Sequence, residues 1–408
     1  MSPFFRRLIS LILAISFCLL VILNIEWVGN SINPIENVLE TKLPTEGSAV
    51  VLLSKRVTNV ANKFCVIYNY TVAEDLSRSR DYEPISLAVH STMSYARYLV
   101  EQADTWDDFI SYALLVEANR KIHVQNLDQL WHCDSEVRRK VSLHLVWELS
   151  PFQMNCDIDL ETLTFNYTCD DYDRRRAFPM IAASVIVYPI NYLRNIARRG
   201  AGTRLHIVAD MENIFSPSFG QMTRNETALM LRKYPTEKYV LVYRRFELKP
   251  GIQKPKTIHE LWTLLKLSKA TFFHSKFFPR GHFIPGLQEW LRYSATNSGV
   301  ISIGIDYTNG GWEPQFVMPS EAPLHYEEVL TRRYDHQVLV RELCRAGYKF
   351  RVLSHVFNIH VGWKRNHTNL DLVLKRVTKY DPRYGNNDFT RYIEEKYPET
   401  AGGCPRLP

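Results

Sequence analysis

Between residues 84 and 147 the chain alternates short apolar runs with segments of helical period, and that alternation restricts its fold more than any other feature. Pro84-Ile-Ser-Leu-Ala-Val-His90 and Val141-Ser-Leu-His-Leu-Val-Trp147 read as buried strands. Between them lie Met93 to Gln102, with helical spacing, and the apolar run Phe109 to Val116. Strands alternating with helices over this length predict an α/β domain with a mostly parallel central sheet. Ligands of such sheets sit outside the carboxyl ends of the strands. The chain has 408 residues, 46% of them hydrophobic and 12% aromatic, enough for a large core and one or two domains.

The stretch from Tyr188 to Phe219 carries the chemistry this layout can use. It reads as a helix, a basic turn, a strand from Leu205 to Ala209 and then Asp210-Met211-Glu212 where the strand runs out. Carboxylates clustered at an open strand end suit a hard divalent cation, and such a cation suits an anionic diphosphate. Upstream, Asn191, Arg194, Asn195 and Arg198 fall at i, i+3, i+4 and i+7, one polar helical face suited to ribose, base or phosphate. As residue types alone, Asp210 and Glu212 equally suit the start of a solvated loop, and the arginines an ordinary wet helix face. Two further groupings stand out. Trp312-Glu313-Pro314 sets an aromatic plane beside a carboxylate, an arrangement suited to a sugar ring. His274 and His282, eight residues apart on an irregular segment, have no zinc-like spacing, so packing or acceptor contact fits them better.

These elements recur in a recognisable order. Tyr188-Pro-Ile-Asn-Tyr-Leu-Arg-Asn-Ile-Ala-Arg198 and D-x-E come first, then Phe246-Glu247 after the strand Tyr239 to Tyr243, Phe273-His274, Pro279-Arg280-Gly281-His282 and Trp290. Trp312-Glu313-Pro314, Asp335 ahead of a helix from His336 to Arg345, Ala346-Gly347-Tyr348 and Phe357-Asn358-Ile359-His360 follow. Over residues 85 to 365 this set resembles the Golgi glycosyltransferase family that includes the β-1,4-glucuronyltransferase acting on dystroglycan glycans. The second catalytic domain of the bifunctional xylosyl- and glucuronyltransferase belongs to the same family.

The resemblance implies a GT-A-like nucleotide-diphospho-sugar transferase fold and inverting transfer of a sugar, glucuronic acid favoured, from a UDP-sugar to a glycan or glycoprotein acceptor. It implies Mn2+ held by Asp210, Glu212 and His360. Asn191, Arg194, Asn195 and Arg198 would bind the nucleotide sugar; Glu247, Trp312 and His282 would meet the acceptor. Asp335 is the first candidate for the base and Glu313 the second. Homo-oligomers, or hetero-oligomers with other glycosyltransferases, are compatible with the same reading.

The N-terminus agrees with such a setting. Arg6 and Arg7 precede an apolar run from Leu8 to Leu23, extended by Ile25, Trp27 and Val28, with Glu26 on the far side. The positive-inside rule then predicts a cytosolic tail over 1–7 and a signal anchor over 8–28, giving a type II protein of the Golgi membrane with a lumenal catalytic domain. A cleaved signal peptide is the competing reading. Residues 29–84 read as stem and lead-in, and 85–408 as the lumenal transferase domain. Sequons at Asn69, Asn166, Asn225 and Asn366 fit translocation, as does the even count of six cysteines beyond Cys18 of the apolar run. Cys156 and Cys169, flanking a short loop, are the expected bridge. The formal charge of +7 is spread along the chain, so nucleic-acid binding is not indicated.

Two positions depart from the family pattern. Its usual motif is D-x-D, whereas Glu212 stands second here, and Arg332-Arg333-Tyr334 replaces a G-Y-G-like turn. Those departures sustain two alternatives: a catalytically silent carbohydrate-binding or chaperone-like relative, and, less directly, a metal hydrolase using the same carboxylates.

Overall fold

The computed structural model describes residues 57–408 apart from 118–120, 157, 159–162, 167, 171, 175–186, 365, 381–385 and 401. The 8–28 anchor lies outside the described residues, among which no helix is long and apolar enough to cross a membrane.

Twelve strands form one sheet. In chain order they are β1 (Val57–Val60), β2 (Phe64–Thr71), β3 (Ile85–Thr92), β4 (Phe109–Leu115), β5 (Val141–Glu148), β6 (Leu205–Val208) and β7 (Asn213–Phe215). β8 (Tyr239–Leu248), β9 (Ala270–Phe272), β10 (Ser302–Ile305), β11 (Gln315–Pro319) and β12 (Lys349–Val361) complete it. The spatial order is β1-β2-β5-β4-β3-β6-β11-β8-β12-β10, with β7 paired to β12 and β9 to β8.

Parallel pairing is confined to the block β5-β4-β3-β6 and to β8 with β12. Everything else is antiparallel, including β11, which is inserted between β6 and β8. The expected mostly parallel sheet is therefore corrected to a mixed one. Alternation predicts crossovers only where a helix separates consecutive neighbours, and β11 reaches its place from far along the chain.

The sheet also starts earlier than the predicted domain boundary. β2, within the segment read as stem and lead-in, is buried along its whole length and pairs with β5.

Each central strand sends alternate residues to opposite faces. Leu87, Val89, Tyr112, Leu114 and Ile207 join one core with Trp106, Phe215 and Phe219. Ala88, Ala113 and Val208 join the other, under Leu193, Ile196 and Ala197 of the helix Ile190–Gly200. Small residues on that face let the helix lie close. At its end, a Cβ on Gly200 would come within 2.2 Å of the His144 ring. That imidazole is itself buried and fixed by Ser111 Oγ at 2.8 Å and by the Asn69 amide N–H at 2.9 Å.

Farther along, a capping box opens the helix Ile258–Lys266, with Thr257 Oγ1 accepting from the Glu260 amide.

The disulfides differ from expectation. Cys156 pairs with Cys65 on β2, Cys169 with Cys133, and Cys344 with Cys404. A short intervening loop favours closure in a flexible chain. In the folded chain, β2 and the end of the helix Lys121–Cys133 bring other cysteines to Cα separations of 5.5 and 5.3 Å. The loop after Pro151 is thus tied at two points to separate elements. Of the sequons, Asn166, Asn225 and Asn366 are exposed, but Asn69 is buried within β2, so the folded sheet closes that site to a glycan.

Gly200→Ala should destabilise the protein by about 1–3 kcal/mol through overpacking. Gly304→Ala, with nothing within 4 Å of its added Cβ, is the control. Denaturant unfolding of the two variants measures the difference.

Candidate functional site

The acidic turn is held from below. After β6, Met211 is buried, and Gln102 Nε2 donates to the carbonyls of Met211 at 2.9 Å and Asn213 at 2.8 Å. The Asn213 amide closes the turn on the Asp210 carbonyl at 3.1 Å.

Strand register then brings distant residues alongside. Asn213 on β7 lies opposite His360 on β12, and on its other side His360 lies opposite Glu247 on β8. Alternation along β8 separates its two arginines. Arg244 points to one face, where it donates to the carbonyls of Ile284 and Pro285. Arg245 points to the other, with Nη2 3.8 Å from Asp210 Oδ2 and its guanidinium carbon 3.8 Å from the centre of the Phe273 ring. Glu313 enters after a loop fixed by its own amide N–H donating to the Gly281 carbonyl at 2.6 Å. Its Oε2 is 3.3 Å from His282 Nε2, and its Oε1 accepts from Gln337 Nε2.

Burial and mutual charge separate the acids of this site. Burial opposes ionisation of Asp210, yet the Arg245 and Arg194 guanidiniums hold it down at about 2. Burial, and then the charge of Asp210, push Glu212 up to about 7. Burial and the Asp335 carboxylate do the same for Glu313, also to about 7, and burial raises Glu247 to about 7. The imidazoles go the other way. Burial, reinforced by Arg245, lowers His274 to about 3 and takes His282 well below its ordinary value. Burial lowers His360 too.

Asp210 and Glu212 are hard oxygen donors on one turn, and the climb of Glu212 reports two carboxylates crowded together. That suits an ion completed by water and substrate phosphates. Among the described residues, however, no three His, Cys, Asp or Glu side chains stand close enough together to hold a metal. His360, the third expected ligand, lies beside the turn in the sheet, with Nδ1 3.2 Å from the Gly362 carbonyl.

Other expectations are corrected by burial. The polar face of Asn191, Arg194, Asn195 and Arg198, expected on the nucleotide sugar, is buried against the chain's own segment 320–327 and Asp335. Asn191 donates to the Tyr326 carbonyl, Asn195 to those of His325 and the Glu327 side chain, and Arg198 to the carbonyls of Pro323 and Ala322. Arg194 pairs with Asp335 Oδ1 at 2.8 Å. The second oxygen of Asp335 accepts from the Arg332 amide at 2.6 Å, so the first-choice base has both oxygens engaged. Arg332 and Tyr334 hold this turn at φ 68° and 64°, the left-handed region glycine enters freely. Trp312 is packed against Phe350, ring centres 5.4 Å apart, and offers no plane to a sugar. Glu247 and His282, expected on the acceptor, are buried in the wall of the site.

Arg245 and Gln102 are the functional residues that sequence reasoning missed. Two arginines inside a ten-residue buried strand were the available signal, because alternation sends only one of them to each face.

Comparison with known proteins places this arrangement. The family model described as "Glycosyl-transferase for dystroglycan" matches residues 84–398. Zebrafish (Danio rerio) β-1,4-glucuronyltransferase 1 is 25% identical over 293 residues, 69% of this chain and 67% of that protein. The human (Homo sapiens) protein of the same name is 22% identical over 81% of this chain and 80% of its own. Mouse (Mus musculus) xylosyl- and glucuronyltransferase LARGE2 is 26% identical over 43% of this chain and 24% of its own length.

The raised carboxyls each contribute to the pH dependence of stability with a defined sign. Unfolded, Glu212, Glu247 and Glu313 titrate near 4.5; folded, near 7. At these groups the unfolded chain binds fewer protons in that window, so their contribution to stability falls as pH rises. The buried imidazoles, His274 and His282 among them, have the opposite sign, because below 6.5 they take up protons only when the chain unfolds. The contribution of Glu247 is therefore read as a difference: the melting temperature of Glu247→Gln relative to the wild type should rise from pH about 4.5 to about 7. Thermal unfolding across that range is the check, and an unchanged slope in the variant would refute the assignment to Glu247.

Proposed function

The chain belongs to this family of glycosyltransferases, and from that premise we propose that it transfers a sugar, glucuronate favoured, from a UDP-sugar to a hydroxyl of a glycan acceptor with inversion. The relatives' names support the donor sugar. The N-terminal charge pattern supports a type II protein of the Golgi membrane, and the mixed α/β sheet supports a GT-A-like fold.

The observation that carries the reading is the meeting around Arg245 of an acidic strand-end turn and a separate carboxyl, Glu313, poised near neutrality. Glu313 suits the base because burial brings its carboxyl to about 7, near the working pH. In one displacement the acceptor oxygen bonds to the anomeric carbon while its proton passes to Glu313. The bond from that carbon to the diphosphate breaks, and its electron pair leaves with the diphosphate. His282, held neutral against Oε2, positions the carboxyl, and Gln337 fixes its other oxygen. Asp210 and Glu212 would hold a divalent cation such as Mn2+, whose contribution there is to cancel charge on the leaving diphosphate.

Glu313→Gln should lower kcat by about 10²–10⁴-fold with little change in UDP affinity, and should abolish the rise in rate toward pH about 7. Asp210→Asn should reduce UDP release from UDP-sugars and its stimulation by Mn2+. Steady-state UDP release by the purified protein measures both. Release that Asp210→Asn leaves unchanged, or no release with any donor, would favour the silent relative.

A further inference from the structure

Arg245 is an anomaly among the buried arginines of this site. Its neighbours are committed: Arg194 to Asp335 and Asn191, Arg198 to three backbone carbonyls, and Arg244 to two. Arg245 is only 9% exposed, yet its Nε and Nη2 have no hydrogen-bond partner. The Asp210 carboxylate, 3.8 Å away, is beyond hydrogen-bond reach. A buried guanidinium with N–H groups left without hydrogen bonds is expensive even beside a carboxylate, and persists where something else completes it.

The surroundings define what would complete it. The Phe273 ring covers one face of the guanidinium, and Nε and Nη2 along its edge are the donors a planar acceptor would meet. Asp210, Glu212 and Glu313 all act on Arg245 electrostatically, and His274 and His282 beside it are uncharged. A donor bringing one more negative group would meet net repulsion here without a fixed cation. Solvent reaches the Asp210 side chain, 37% exposed, but hardly reaches Arg245, at 7%, so the fork lies deeper in the site than the acidic turn.

We propose that Arg245 is a specificity-determining residue, whose guanidinium fork pairs with a carboxylate on the sugar of the donor. This rests on the reading of the chain as a UDP-sugar-dependent transferase. A neutral sugar leaves the buried fork unpaired, and a site built for a polar partner rejects the analogue that lacks it. A uronate satisfies the fork with two parallel hydrogen bonds.

The test measures binding of UDP, UDP-glucose and UDP-glucuronate to the detergent-solubilised full chain by calorimetry, in the wild type, Arg245→Gln and Arg245→Lys. The wild type should bind UDP-glucuronate at least about tenfold tighter than UDP-glucose. Arg245→Gln should bring the two donors within about twofold of each other, whatever its effect on UDP itself, because the guanidinium also acts on Asp210. Arg245→Lys, which keeps the charge but not the planar fork, should fall between. The ratio between the two donors separates this role from a structural one: a general loss of structure weakens both donors alike, whereas loss of the fork weakens UDP-glucuronate selectively. An unchanged ratio in Arg245→Gln overturns the proposal. So does an equal loss for all three compounds, which would assign the guanidinium to the diphosphate. No binding of UDP itself by the wild type would instead overturn the reading of the chain as a UDP-sugar enzyme.

Discussion

The site depends on keeping one guanidinium, that of Arg245, charged and nearly dry inside the sheet. It holds Asp210 ionised against the penalty of burial, and its field helps keep His274 and His282 neutral. The other acids are left to the desolvation that raises them, which is how Glu212, Glu247 and Glu313 arrive near neutrality while Asp210 stays far below. Carboxyls with one intrinsic chemistry thus acquire different states from their positions around a single cation.

Holding that cation is the work of the sheet. β8 carries Arg245 and Glu247 on one face and gives Arg244 and Phe246 to the other, where Phe246 packs with Trp290 and Phe357. β12 runs beside it and receives β7, so the turn after β6 is pinned next to His360. The antiparallel insertion of β11 between β6 and β8 puts the chain that continues from Glu313 between the acidic turn's strand and the arginine's strand. A one-residue slip in β8 would turn Arg244 and Phe246 to the site face in place of Arg245 and Glu247.

Much of the layout was legible in the residues. β3, β5, β6, the capping box at Thr257 and the late strand through His360 follow from apolar runs and local spacing, which are properties of neighbours along the chain. What misled was polarity read without context. The face of Asn191, Arg194, Asn195 and Arg198 has the pattern of a ligand surface. Its groups instead satisfy carbonyls of residues 320–327 more than 120 positions away, which no local pattern reports. Trp312 beside Glu313 looked like a sugar platform, yet adjacent residues on an extended segment face opposite ways, and only the carboxyl faces the site. The cysteines carry the same lesson, since a short loop between Cys156 and Cys169 is a property of the chain and bridging is a property of proximity in space.

From sequence alone came the α/β class, the acidic turn at a strand end, the ordered motifs of a transferase family and the candidacy of Glu313, because each is written in residue type and short spacing. Tertiary structure alone decided which polar groups are free to act. That decision turns on who lies opposite whom across strands far apart in the chain, and desolvation, which sets the charge of each acid and imidazole, exists only once those strands have closed around them.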